Sequence, residues 1–330
     1  MSDTQGSGGP PSADPPADAE QPVEPSAAAP NPITNLTPYP PEDLDEFWLE
    51  AVAEACALPL DYRRSRTQDY DLPGFVVERI EFNGMLGRRL YGWIAYPPGA
   101  RRLPGFVWLA PYGRESMLPD AYGTREGFAS MSFNFFGHEA FYREKYVVAR
   151  GYFGEGAGSP ETWIFRRMFQ DAVIASRVFQ AQNEVDEERI GAMGMSQGGG
   201  MAIWLGAWCR VVRAVCADMP FLGAITATLS NPVFRYPLKE LVDAMEEMPV
   251  GQARVENTLS YFDTMNQATR CAVPTQVSLG LKDPASRPAN VRAIFEALPA
   301  HKRLKTYDWG HDWHPEMIPA NREWLEENLR

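Results

Sequence analysis

Apolar and polar positions follow two periods along this chain, and the switches between them predict its elements. In "PPEDLDEFWLEAVAEACALPL", residues 40–60, Leu44, Phe47, Trp48, Val52 and Cys56 recur at helical spacing, with Glu42 or Asp43 placed to cap the start. "FVVERIEF" and "RRLYGWIAY" alternate with a period of two and predict strands, with Asn83-Gly84 between them as a hairpin signal. "GFVWLA" and "FASMSFNFF" read as buried strands. "ETWIFRRMFQDAVIASRVFQAQ" is a long helix with Phe165, Met168, Phe169, Ala172, Ala175 and Phe179 on one face. Strand 189–194, helix 197–208, strands "RAVCAD" and "TQVSLG", a helix near 287–297, strand "RLKTYD" and a closing helix "NREWLEENL" follow. This alternation predicts an α/β domain over residues 38–330, a mostly parallel sheet with helices on both faces. Residues 219–265 break the rhythm and are expected to form an insertion that caps a pocket.

One turn in this pattern carries chemistry. Gly194-Met195-Ser196-Gln197-Gly198 lies between a strand and a helix and fits G-x-S-x-G, in which a sharp turn lifts the serine above a sheet. Flanking glycines are needed because a Cβ there would clash. A serine hydroxyl is a poor nucleophile unaided and needs a general base, itself oriented by a carboxylate. In this fold type the order is serine, acid, histidine. Of the histidines after Ser196, His301 precedes a strand, at the wrong end; His311 and His314 follow "RLKTYD", where catalytic loops gather, and His311 is preferred. Asp283, after "TQVSLG", is preferred as the acid over Asp218, one strand earlier; Asp308 is too close to the base in sequence. A tetrahedral oxyanion needs two donors. The N–H of Gln197 is one by the geometry of the turn. The other is expected from the loop "WLAPYGRES", through the backbone of Tyr112, whose ring would also wall the pocket.

Composition changes the picture at three points. Eleven of the 29 prolines fall in residues 1–41, with many Ala, Ser and Asp and no Lys or Arg, so residues 1–37 are expected to form a disordered acidic tail. The net charge of −12, from 31 basic and 43 acidic residues, argues against nucleic acid and anionic membrane surfaces as partners. The start lacks a secretory pattern, and no later run is long enough to span a bilayer. Cys56, Cys209, Cys216 and Cys271 have no metal-type spacing, and Cys209 and Cys216 sit in apolar runs that predict buried thiols, so a cytoplasmic location is expected.

From about Pro41 to the C-terminus the chain resembles the acetyl xylan esterase / cephalosporin-C deacetylase family of α/β-hydrolases (carbohydrate esterase family 7). The resemblance is carried by "PEDLDEFW", "LPGFVWLAPYG", "ETWIFRRMFQDAV", "VDEERIGAMGMSQGGG", "VCADMPFL", "NTLSYFDTMN", "SLGLKDPASRP" and "YDWGHD". It implies an α/β-hydrolase fold and a serine esterase that removes small acyl groups, mainly acetyl, from sugars or related alcohols, without metal or organic cofactor. It assigns Ser196 as nucleophile, Asp283 as acid, His311 as base, and Tyr112 and Gln197 as backbone oxyanion donors. It also implies a homo-oligomer. Two stretches depart from the family pattern. An Arg-Gly-Gln segment is replaced around Phe136–Glu139, where only Gly137 is kept, and Gly-His-Glu is Gly310-His311-Asp312 here. His138 reads as a structural residue or as a substitute polar contact. Other readings on the same fold are a general carboxylesterase, a lactonase, a peptidase or a non-catalytic binding protein.

Overall fold

The computed structural model describes residues 36–330 apart from 146, 234, 249–250 and 300. The expected tail therefore lies outside the described residues up to residue 35. Its predicted limit at residue 37 is corrected, because Leu36 already packs against the core.

Among the described residues helix α1 (Leu44–Ala57) comes first, followed by strands β1 (Tyr62–Arg66), β2 (Val76–Asn83), β3 (Arg89–Tyr96), β4 (Leu103–Leu109) and β5 (Ala129–Phe133). Helix α2 (Ile164–Gln180), strand β6 (Val185–Met195), helix α3 (Gln197–Trp208) and strand β7 (Ala214–Asp218) come next. Helices α4 (Ile225–Leu229), α5 (Lys239–Glu247), α6 (Gly251–Phe262) and α7 (Thr264–Ala268) separate β7 from β8 (Thr275–Gly280). The chain closes with α8 (Pro288–Ala297), β9 (Lys302–Tyr307) and α9 (Met317–Asn328).

The strands form one sheet in the order β1-β2-β3-β5-β4-β6-β7-β8-β9. β1, β2 and β3 pair antiparallel, β3 also joins β5 antiparallel, and the remaining pairs from β5 to β9 are parallel. Apolar side chains are buried on both faces, as a parallel sheet under two helical layers requires. On one face Trp48 of α1 meets Phe169 of α2, Trp204 of α3 and Phe262 of α6, with ring centroids 4.6, 5.7 and 5.1 Å away. On the other, Trp93, Trp108 and Phe128 form a cluster with Trp324 and Leu325 of α9. Cys209 and Cys216 are buried. No helix among the described residues is long and apolar enough to cross a membrane.

Three local expectations are corrected. The β2–β3 connection is not a two-residue turn at Asn83-Gly84: Asn83 pairs with Arg89, and residues 84–88 form a longer loop with one 3-10 turn. Asp171 of α2 explains the loop, since its carboxylate accepts the Met85 N–H at 2.7 Å and a hydrogen bond from Arg88 at 2.7 Å. Asp43 stands at the start of α1 without capping it; its carboxylate accepts the Tyr261 hydroxyl instead, at 2.6 Å. The strand in "FASMSFNFF" stops at Phe133, because the Asn134 side chain turns the chain by accepting the Phe136 N–H.

Candidate active site

The C-terminal ends of β4, β6, β8 and β9 deliver the residues singled out in the sequence. β6 turns abruptly into α3 at Ser196, whose backbone lies at φ 57° and ψ −120°, a conformation that L-residues rarely hold. The glycines around it make this turn possible. A Cβ on Gly194 would sit 2.4 Å from the Gly198 backbone, and one on Gly198 would sit 2.2 Å from the Leu109 carbonyl oxygen. The turn thus presses against the end of β4, the strand that leads into Tyr112. The Ser196 N–H is held by the Asp218 carbonyl at 2.9 Å, and the Ser196 carbonyl accepts the Phe221 N–H at 2.9 Å.

Three side chains from three loops converge. His311 Nε2 lies 2.9 Å from Ser196 Oγ, and His311 Nδ1 lies 2.7 Å from Asp283 Oδ2. The other carboxylate oxygen of Asp283 accepts the backbone N–H groups of Ala285 and Ser286, both at 2.8 Å. Asp283 is 3% exposed and Ser196 7% exposed, so both ends of the chain of contacts are buried and the His311 imidazole between them is the partly exposed member.

The competing candidates are occupied elsewhere. Asp218 is buried and held by Asn321 Nδ2 at 2.7 Å; burial pushes its carboxyl up to about 6. His314 stacks on Tyr307 at 4.7 Å, and its Nδ1 accepts the Glu316 N–H. His301 packs on Trp324, at the N-terminal end of β9.

Tyr112 follows β4 and Gln197 is the first residue of α3. Their connection passes through Tyr152, whose hydroxyl accepts the Gly113 N–H at 3.0 Å and donates to the Gln197 side-chain oxygen at 2.9 Å. The Tyr112 ring stacks on Tyr152 at 4.7 Å, and the Tyr112 hydroxyl donates to Glu240 at 3.1 Å.

The family model described as acetyl xylan esterase (AXE1) matches residues 35–325. The chain belongs to the acetyl xylan esterase family. It is accordingly a carboxylic ester hydrolase, on an α/β-hydrolase fold. A curated relative, the acetyl esterase Axe7A of Xylanibacter ruminicola, is 22% identical over 313 residues, covering 89% of this chain and 69% of its own length. Among solved structures, an acetyl xylan esterase from Paenibacillus sp. R4 superposes with a TM-score of 0.78 at 24% identity, over 89% of this chain and 96% of that one. Acetyl xylan esterase 1 from Thermoanaerobacterium sp. JW/SL YS485 gives 0.75 at 23% identity, over 89% and 95%.

In this member of the acetyl xylan esterase family, the altered stretch at Phe136–Glu139 lies beside the site. Phe136 packs on Tyr152 at 4.6 Å, and the Arg114 guanidinium lies over both rings, 5.5 and 5.8 Å from their centroids. His138 stacks flat on Tyr142 at 4.1 Å. The sequence reading missed Tyr152 and Glu240. Neither belongs to a motif, and Glu240 lies 128 residues from Tyr112, so only the fold brings them together.

Proposed function

We propose that the protein hydrolyses esters of small acyl groups, acetyl above all, on sugars or related alcohols through an acyl-enzyme on Ser196. The observation that carries this reading is the hydrogen-bonded chain Ser196–His311–Asp283, at 2.9 and 2.7 Å, on a strained turn. Neutral His311 takes the Ser196 proton through Nε2 as Oγ attacks the ester carbonyl carbon. Asp283 holds the Nδ1–H tautomer and stabilises the imidazolium that forms. The backbone N–H groups of Tyr112 and Gln197 receive the oxyanion, aided by the positive N-terminus of α3. His311 then protonates the leaving alcohol. Water, deprotonated by His311, attacks the acyl-enzyme; as the intermediate collapses and the carboxylic acid leaves, the imidazolium returns its proton to Ser196 Oγ.

Helices α4, α5 and α6 serve as the cap expected over this pocket, a reading supported by the contacts of Glu240 with Tyr112 and Gly151. The acetyl preference is supported by the family and by the names of the relatives. The resemblance further supports a homo-oligomer acting on small substrates, which sedimentation tests. The direct test of the site is Ser196→Ala assayed on 4-nitrophenyl acetate. A loss of kcat on the order of 10³-fold or more, with Tm unchanged, is expected. Retained turnover would remove the proposed nucleophile.

A further inference from the structure

Tyr152 and Glu240 take no part in the reaction written above, yet both are buried and both face it. Tyr152 is 2% exposed and Glu240 is 1% exposed. Burial raises the Tyr152 phenol well above its ordinary range, so it stays protonated and keeps its donor. Its hydroxyl joins the two loops that supply the proposed oxyanion donors: it accepts from Gly113, the residue after Tyr112, and donates to the side chain of Gln197.

Glu240, on α5 of the insertion, holds this arrangement from behind. One carboxylate oxygen accepts the Gly151 N–H at 2.7 Å and the Tyr112 hydroxyl at 3.1 Å; the other accepts the Gly154 N–H at 3.1 Å. The two N–H groups flank Tyr152 in sequence, so the carboxylate fixes the loop that carries the bridging tyrosine. A side chain at position 151 would disturb the same contact, since a Cβ on Gly151 would lie 2.0 Å from the Tyr112 hydroxyl oxygen.

We propose that Tyr152 and Glu240 are positioning residues for the oxyanion site, Tyr152 by tying the Tyr112 loop to Gln197 and Glu240 by clamping both tyrosines from the insertion. This rests on the reading of Tyr112 and Gln197 as oxyanion donors. Donors aligned before reaction stabilise the charge that develops in the transition state, and a small misplacement weakens that term more than it weakens ester binding. The signature is therefore a loss in kcat with KM nearly constant.

The experiment compares wild type, Tyr152→Phe, Glu240→Gln and Ser196→Ala. It measures kcat and KM for 4-nitrophenyl acetate, inhibition by phenylboronic acid, which forms a tetrahedral adduct on a nucleophilic serine, and Tm. Tyr152→Phe keeps the ring and removes only the bridge. It is expected to lower kcat by roughly 10- to 100-fold, to leave KM within about twofold, and to weaken boronate inhibition by a factor similar to the kcat loss. Glu240→Gln retains one oxygen acceptor and should show the same pattern at roughly 3- to 10-fold, which covers the case of a poorly folding Tyr152→Phe. Wild-type kcat and boronate inhibition in both variants, with Ser196→Ala inactive, would overturn the positioning role and leave the esterase reading intact. A change confined to KM or Tm would also overturn it. An active Ser196→Ala would overturn both.

Discussion

At the scale of single residues, the proposed chemistry depends on which histidine and which aspartate face Ser196. His311 bridges Ser196 and Asp283, while His314 is engaged by Tyr307 and the Glu316 N–H. His311→Ala should therefore lower kcat/KM for an aryl acetate on the order of 10³-fold or more, and His314→Ala by less than about tenfold. A severe loss in His314→Ala alone would reverse the assignment. Asp283→Asn should likewise be far more damaging than Asp218→Asn, since Asp218 reaches Asn321 and not the imidazole. These residues were legible because each stands just past a strand's C-terminal end, in a fixed chain order. Tyr152 and Glu240 were not, because a hydrogen bond between distant loops leaves no trace in local spacing. The left-handed backbone of Ser196 was foreshadowed only by its glycine neighbours.

Among the elements, the same contrast separates what periodicity reveals from what tertiary contact decides. The long helix α2 and the parallel strands were readable from their apolar spacing. β1, "YRRSR", was not, since it has no apolar alternation. It pairs with β2, and its Arg64 guanidinium is taken up by Glu78, Glu184 and Tyr96. Helices α4–α6 were missed because polar residues interrupt their apolar spacing: only Leu241, Ala244 and Glu240 of α5 are buried, although α6 buries Val255, Leu259, Tyr261 and Phe262. The turn between β6 and α3 is a tight joint, and Gly198→Ala should destabilise the protein by about 1–3 kcal/mol or more, because the opposing atoms are backbone at the end of β4. Urea unfolding would show it; an unchanged midpoint would mean the turn can relax.

The α2 contact to the β2–β3 loop supplies a pH-dependent prediction. Burial raises the Asp171 carboxyl to about 6, against the pull of Arg88, Arg167 and the Met85 N–H. Below about pH 3 it is protonated in folded and unfolded chains alike. As pH rises, the unfolded carboxyl ionises first, so the folded state loses on the order of 3 kcal/mol by the time pH has passed 6. Asp171→Asn removes this titration. Whatever its constant offset from the altered Arg88 contact, its stability relative to wild type should improve by about that amount between about pH 3 and 8. A pH-independent difference in urea unfolding would contradict this.

For the whole molecule, the boundary between core and N-terminal extension can be set residue by residue. Tyr39 donates its hydroxyl to the buried Asp263 carboxylate at 2.5 Å, and its N–H reaches Asn266 at 2.6 Å. Deleting residues 1–35 should leave Tm and activity nearly unchanged, whereas Tyr39→Phe should cost about 1–3 kcal/mol, because Asp263 loses a donor in a buried site. A large drop from the deletion alone would show that the extension docks on the core or on another subunit.

The central claim is that this fold and site remove small acyl groups. A packed acyl site rejects added methylenes by overlap, whereas an open apolar groove would gain about 0.8 kcal/mol for each buried CH₂. The decisive measurement is kcat/KM for 4-nitrophenyl esters from acetyl to octanoyl on the wild-type protein. The account predicts a maximum at acetyl and a steep fall by butyryl; a maximum at hexanoyl or beyond would contradict it.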